Sequence, residues 1–255
     1  MDQSAQQQTS LRWHGDWRTS VFTALLLPLL IGLGLWQLQR AVEKEQIARV
    51  WDERQQQAPR PLPLEFTGSA ELAYLRVELL GQFLPHRQFL LDNRMRQGRY
   101  GMEVLTPLRL QESERVVLVN RGWVAADPAR RLVPQVATPP GLQRLHGTVY
   151  VSPGMPYTLG AEIDSGPWPR QLLTLDMTAI TAMLGEPIYP YSVRLDADSP
   201  TALGIDWPLL NISPEKHQAY ALQWFAMALA LACLYLVRSS NILAWLGLRR
   251  GGGHD

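Results

Sequence analysis

The sequence predicts a membrane protein in which two transmembrane helices flank a mainly antiparallel β domain of the α+β class. Two uncharged stretches of roughly 20 residues, one near each end of the chain, are long enough to cross the hydrocarbon core of a bilayer as helices. Between them, charged residues recur, and short segments alternate apolar and polar residues with the period of two that is typical of strands. We therefore expect the middle of the chain to fold in water.

The first predicted transmembrane helix covers residues 19–38. Its apolar run is too long for the core of a cleaved signal peptide, and it lacks a small-residue cleavage site, so we expect an uncleaved anchor. Strong helix formers continue through residue 57, which predicts that the helix leaves the membrane and extends beyond it. It should end before the segment 59–64, because three prolines there cannot sustain helical hydrogen bonding.

The second predicted transmembrane helix covers residues 219–237. A buried helix of a soluble core is the alternative, but the length and the near-terminal position favour a span. The flanking tails, residues 1–18 and 238–255, both carry arginine, which predicts two cytoplasmic termini. Residues 39–218 then form an extracytoplasmic domain. The N-terminal tail does not resemble a mitochondrial transit peptide, so a bacterial inner membrane with a periplasmic domain is the simplest location.

The middle domain contains several segments with strand or helix patterns. Apolar residues alternate in three of these segments, residues 75–83, 102–110 and 145–151. Residues 115–120 predict a more fully buried strand, residues 170–177 and 188–195 are weaker strand candidates, and residues 178–184 predict a short helix. Gly, Pro and Asn residues between these segments predict turns, which favours a mainly antiparallel sheet, with a barrel as one possible form.

Charge and motif content argue against several classes of function. The net charge of +1 gives no sign of the basic surface that nucleic-acid binding requires. The single cysteine, Cys233, lies inside the second predicted span, which excludes a thiolate pair for copper. The sequence has no nucleophile elbow, phosphate loop or dinucleotide fingerprint, and its five histidines lack the spacing of a helical zinc site. We therefore expect no enzyme and no catalytic residues.

Two polar clusters in the middle domain each have a structural alternative. Arg94, Arg96 and Arg99 could bind carboxylates or phosphates bidentately, but a polar hairpin turn around Gly98 is the favoured interpretation. The acids of segment 196–198 could bind a cation or act as an acid pair, although solvated loop acids are the better interpretation.

His217, at the entry to the second predicted span, is a more specific candidate. On a helix, His217, Tyr220 and Trp224 lie at i, i+3 and i+7 and share one face. The imidazole could ligate haem iron while the two rings pack on the macrocycle. The alternative is an aromatic belt at the membrane–water boundary, which the spacing alone favours.

Three segments carry a family resemblance. They are GLWQLQRAVEK (34–44), LVNRGWV (118–124) and NISPEKHQAYALQWF (211–225). In order and spacing they resemble the motifs of the Surfeit-locus-one family, the assembly factors of cytochrome c oxidase. The likeness covers nearly the whole chain, and the set of three is specific although each motif alone is weak.

The resemblance implies a non-enzymatic factor that assists the insertion or retention of haem a while the catalytic subunit of the oxidase matures. The implied partners are that subunit, its haem-synthesis or assembly machinery and the lipid bilayer, with no nucleic acid. His217 is the iron ligand that the resemblance implies, and the helical spacing adds Tyr220 and Trp224 as neighbours of the macrocycle.

Four residues in the other two motifs are candidate partner-binding residues: Trp36, Arg40, Arg121 and Trp123. Trp36 and Arg40 are four apart on one helix face, where the guanidinium can stack on the ring at the membrane surface. An ordinary interfacial anchor is the alternative.

The NRGW motif is expected to be mainly structural. Gly122 would permit a turn after the strand, Asn120 can bond its own backbone and Trp123 adds a large apolar surface. Arg121 is the best candidate of this motif for contacting a partner.

A two-span extracytoplasmic sensor, or a scaffold without haem binding, is the rival function. A sensor needs a cytoplasmic output module, and fewer than 20 residues follow Val237.

Overall fold

The computed structural model describes residues 12–152, 166–207 and 213–245, which divide into two compact units. The helical unit combines the described residues up to Ala48 with those after Leu209, and the β unit runs from Arg49 to Pro208. The helices are α1 (Trp17–Gln55), α2 (Ser69–Leu72), α3 (Met177–Leu184), α4 (Pro214–Ser239) and α5 (Ile242–Trp245). The strands are β1 (Arg60–Pro61), β2 (Arg76–Phe83), β3 (Phe89–Leu91), β4 (Gly101–Leu110), β5 (Val116–Ala125), β6 (Leu142–Tyr150), β7 (Arg170–Leu172) and β8 (Ser192–Leu195).

The two long helices contain the predicted spans. Both α1 and α4 are long and apolar enough to cross a membrane, with mean hydropathies of 2.0 and 1.8 over their most apolar windows. Helix α1 continues past residue 38 and ends at Gln55, before the proline-rich segment, as predicted. Pro214 occupies the first turn of α4, where its missing N–H has no intrahelical partner to lose.

In the helical unit, α1 and α4 pair through one stripe of mostly small side chains. The buried residues recur at intervals of roughly one to three turns: Thr23, Leu30, Gly34 and Ala41 on α1, and His217, Ala221, Ala228 and Ser239 on α4. The hydroxyl groups of Ser20 and Tyr235 are 2.7 Å apart near one end of this seam. Many apolar side chains on the remaining helix surface are uncovered, including Leu25, Leu29, Leu222 and Leu229.

The strands of the β unit close into a barrel. The strands β2, β6, β8, β5 and β4 pair in succession, and β4 pairs back onto β2. β1 joins the edge of β2, β3 joins β4 and β7 joins β3. The pairs β1–β2, β3–β7 and β5–β8 are parallel, and the other pairings are antiparallel. The predicted mainly antiparallel sheet is therefore confirmed, in its barrel form.

Alternate residues of the strands fill the barrel interior with aliphatic side chains. The interior cluster includes Val77, Leu79, Val117, Val119, Leu145, Val149, Val193 and Leu195. Strands β2 and β6 follow the predicted segments 75–83 and 145–151, and α3 follows the predicted helix at 178–184. Asp176 caps α3 by accepting hydrogen bonds from the amides of Thr178 and Ala179.

Strand β4 departs from the single buried face predicted for residues 102–110. Leu105 is fully buried on the second face, where it packs with Leu118 and with Ile180 of α3. A shift in the β4–β5 register between Glu103 and Leu105 also breaks the regular alternation. The one-sided pattern fails here because a helix covers the outer face of the barrel.

Candidate functional site

His217 lies at the start of α4 and is buried against α1, with 9% of its surface exposed. Its Nδ1 is 2.7 Å from Oε1 of Gln37 on α1. Among the residues that the structure describes, Nδ1 is the only imidazole nitrogen of His217 with a hydrogen-bond partner. The arrangement leaves Nε2 without a hydrogen bond among the described residues.

The other two predicted haem neighbours differ from His217 in burial. Tyr220 is 48% exposed, and Trp224 is half-buried. The described residues contain no group of three or more His, Cys, Asp or Glu side chains that could hold a metal ion. Haem binding by His217, Tyr220 and Trp224 stays a prediction.

Trp36 and Arg40 are close to each other on α1, as their spacing predicts. The guanidinium carbon of Arg40 is 5.8 Å from the centre of the Trp36 ring, and its Nη1 is 2.7 Å from Oε2 of Glu43. Trp36 is 48% exposed, so its ring is accessible. Contact between these residues and a partner stays a prediction.

The NRGW motif lies inside strand β5, so the turn predicted at Gly122 is wrong. Glu103 pairs with Trp123 but Leu105 pairs with Asn120, so β5 carries one extra residue, a β-bulge. Gly122 has a φ of +117°, and a Cβ there would lie 2.7 Å from the carbonyl oxygen of Gly204. The Gly122 amide donates to Oδ1 of Asn120 at 3.1 Å, which confirms the predicted local bond.

Arg121 is buried, with 4% of its surface exposed. Its Nη1 donates to the carbonyl of Ala137 at 2.9 Å and its Nε to the carbonyl of Thr201 at 3.2 Å. Burial lowers the pKa of the guanidinium. These contacts join two loops to the barrel, and a contact between Arg121 and a partner stays a prediction.

Trp123 connects β5 to the arginine-rich hairpin. Its indole N–H donates to the carbonyl of Arg94 at 2.7 Å, and the guanidinium carbon of Arg96 is 5.9 Å from its ring. The backbones of Arg96 and Arg99 pair around Gln97 and Gly98, which both have positive φ. The favoured hairpin-turn interpretation is therefore confirmed.

An open cleft of about 380 Å³ lies beside this hairpin. Its lining comprises Arg96, Gln97, Arg99, Trp123, Val124, Ala125 and Gly204. Elsewhere in the β unit, Asp196 forms an ion pair with Arg76 at 3.0 Å, so this acid belongs to a structural contact.

The sequence patterns did not single out two polar residues that the structure places in notable contacts, Arg194 and Gln37. Arg194 lies between the rings of Tyr150 and Trp207, 3.5 Å and 4.8 Å from their centres, and burial lowers its pKa. Gln37 belongs to the first resemblance motif, but its partner His217 is 180 positions away. Partners so far apart in sequence share no local pattern that could connect them. The one local signal was that Gln37 is a polar residue at the end of an apolar helix segment.

Comparison with known proteins identifies the family. The model of the SURF1 family matches residues 24–229. A SURF1-like protein of Rickettsia felis is 26% identical over 233 residues, which cover 89% of this chain and 99% of the relative. A SURF1-like protein of Rickettsia conorii is 27% identical, over 89% of this chain and 93% of the relative. A SURF1-like protein of Monosiga brevicollis is 28% identical, over 88% of this chain and 84% of the relative. Because the match extends from α1 through the barrel and into α4, the chain belongs to the SURF1 family.

Proposed function

We propose that this protein is a membrane-anchored, non-enzymatic assembly factor for cytochrome c oxidase that assists the insertion or retention of haem a during maturation of the catalytic subunit. Membership of the SURF1 family, which generally comprises cytochrome oxidase assembly factors, supports the oxidase assignment. The His217–Gln37 pair is the observation that carries the haem assignment.

The uncovered apolar surface of the helical unit supports membrane insertion. Leu25 and Leu222 are each 70% exposed on helices that are long enough to span a bilayer. Lipid would remove these side chains from water. This burial would stabilise the inserted state by about 25 cal/mol for each Å² of apolar surface. We place α1 and α4 across a bacterial inner membrane, with both termini in the cytoplasm and the β unit in the periplasm. Arginines at both helix ends, Arg18 and Arg238, support this orientation.

The haem proposal depends on a polar side chain held between two apolar helices. Burying an imidazole costs free energy unless its nitrogens are paired, and ionisable groups in such segments usually have a function. In the proposal, haem a is the cargo, and this chain would supply an imidazole nitrogen to its iron and aromatic rings to its macrocycle. His217 provides the nitrogen, and Tyr220 and Trp224 provide the rings.

Deletion of the gene tests the oxidase assignment. We expect less assembled, haem-loaded oxidase in the deletion strain, with unchanged transcription of the oxidase subunits. Reduced-minus-oxidised spectra of membranes measure haem a, and quantitative RNA measurements control for expression. Normal oxidase spectra in a strain without a second copy of the gene would contradict the assignment.

The variant His217→Ala tests the haem assignment. Wild type, His217→Ala and the control His146→Ala are purified at full length from cells that make haem a. His146 contacts Glu78 in the β unit and has no role in the proposed site. We expect His217→Ala alone to lose most of its bound haem and its Soret band, while expression persists. Equal haem in all three proteins would favour the rival scaffold without haem binding.

A further inference from the structure

We infer that Gln37 is a positioning residue that holds His217 in the tautomer protonated at Nδ1 and thereby presents an unprotonated Nε2 to the haem iron. The inference rests on the proposed haem binding, and it adds a residue on the opposite helix to the site. The hydrogen bond between the two side chains carries it.

The chemistry of the two groups fixes the position of the proton. Oε1 of Gln37 is a carbonyl oxygen, which can only accept a hydrogen bond, and it is 2.7 Å from Nδ1 of His217. With the amide in this orientation, the proton of the hydrogen bond is on Nδ1. In a neutral imidazole the other nitrogen then has a free lone pair, and that lone pair is what a metal requires.

The surrounding packing fixes the orientation of the imidazole. Gly34 and Ala41, one turn to either side of Gln37 on α1, are buried, and Ala221 is buried one turn beyond His217 on α4. These small residues leave room between the helices, and the extended Gln37 side chain reaches the imidazole. The ring is thus held by packing and by one directional hydrogen bond.

A second hydrogen bond beside the site provides a matched control. Nε2 of Gln218 donates to Oε1 of Glu45 at 2.9 Å, so it also joins α4 to α1 but does not involve the imidazole. If interhelical hydrogen bonds served only to hold the helices together, loss of either one would have a similar effect. A positioning role predicts different effects.

The experiment compares wild type with Gln37→Leu, Gln37→Glu and Gln218→Leu, each at full length in detergent. Leu removes the acceptor at similar size, whereas Glu keeps an acceptor oxygen. The first measurement is ¹⁵N NMR of the haem-free, histidine-labelled proteins, with His217→Ala used to assign the signal. We expect the Nδ1–H tautomer in wild type, Gln37→Glu and Gln218→Leu, and loss of that preference in Gln37→Leu.

The second measurement is titration with haem a. Loss of an outer hydrogen bond to a metal-bound histidine typically weakens metal affinity by roughly 10–100-fold. We expect a loss in this range for Gln37→Leu, near-wild-type affinity for Gln37→Glu and no change for Gln218→Leu. The iron–histidine stretching frequency should shift upward in Gln37→Glu, because a carboxylate makes the imidazole more basic.

The outcomes separate this inference from the proposed function. An Nε2–H tautomer in the haem-free wild type would overturn the inference whether or not haem binds. Unchanged tautomer and affinity in Gln37→Leu would overturn it as well, while loss of haem in His217→Ala still supported haem binding. A wild type with the Nδ1–H tautomer and no affinity for haem a would contradict the proposed function, and with it the role of Nε2.

Discussion

At the scale of single residues, the NRGW motif acts through its backbone and its buried hydrogen bonds. The bulge in β5 forms where Gly122 takes a positive φ and approaches Gly204, and the side chain of Asn120 accepts from the amide left free by the bulge. Nδ2 of Asn120 also donates to Oε2 of Glu103 at 2.6 Å. The motif therefore sets the geometry at one end of the barrel.

Replacement of Gly122 by Ala should destabilise the protein. The positive φ disfavours any side chain, and the new Cβ would clash with the Gly204 carbonyl, so we expect a loss of about 2 kcal/mol or more in the free energy of unfolding. The control is Gly68→Ala, since a Cβ at Gly68 meets no atom within 4 Å. Thermal unfolding of both full-length variants in detergent measures the difference. Equal melting temperatures would contradict the role of Gly122.

Arg121 should contribute mainly to stability. Arg121→Met leaves the carbonyls of Ala137 and Thr201 without their charged donor, which should cost about 2–4 kcal/mol. The control is Arg144→Met, because the Arg144 side chain is 62% exposed in its ion pair with Glu78 and should contribute at most about 1 kcal/mol. Denaturant unfolding of the purified proteins measures both. A stable Arg121→Met protein that fails in oxidase assembly would instead support the predicted partner contact.

At the scale of elements, the seam between α1 and α4 depends on small residues at the crossing points. Gly34 faces the ring of Phe225, and a Cβ at Gly34 would lie 2.5 Å from that ring. Gln37 is one turn further along α1, so the spacing of the two helices at Gly34 also determines whether Gln37 reaches His217.

Enlargement of Gly34 should therefore separate the helices and weaken the proposed haem site. Gly34→Leu should cost about 1–3 kcal/mol through overpacking and should lower bound haem. Gly32→Leu is the matched control, because a Cβ at Gly32 meets no atom within 4 Å and loss of a helical glycine is itself favourable by up to about 1 kcal/mol. Unfolding in detergent and the ratio of haem to protein measure both effects. The same haem content in the two variants would show that the seam does not control the site.

At the scale of the whole molecule, the two units differ in how much of their apolar surface they bury. The helical unit leaves leucines on its surface, whereas the β unit buries its aliphatic residues inside a closed barrel. Two proposed membrane crossings return the chain to its starting side, so the arginines in both tails favour the same orientation.

Reporter fusions test this orientation. Alkaline phosphatase fused after Gln57 should be active in the periplasm, and green fluorescent protein fused after Gly253 should fluoresce in the cytoplasm. Exchange of the two reporters provides the control, since each should then be inactive. Activity of one reporter at both positions would contradict the proposed topology.

The sequence by itself determined the features that depend on local pattern. The apolar runs locate α1 and α4, alternation locates β2 and β6, and the segment ending at Leu184 forms the predicted helix α3. Each of these depends on hydropathy or spacing among near neighbours, which the chain displays directly. The three motifs also led to the family, because their order is a property of the sequence alone.

Only the tertiary structure decided how distant residues meet. The pairing of Gly81 with Leu110 closes the barrel, β5 runs through Gly122 as a bulge where a turn was predicted, and Arg121 is inside the β unit. Gln37 and His217 form their hydrogen bond only because α1 and α4 pack against each other along their buried residues. Such contacts depend on the packing of surfaces that are remote in sequence, and periodicity, which describes one element at a time, carries no information about them.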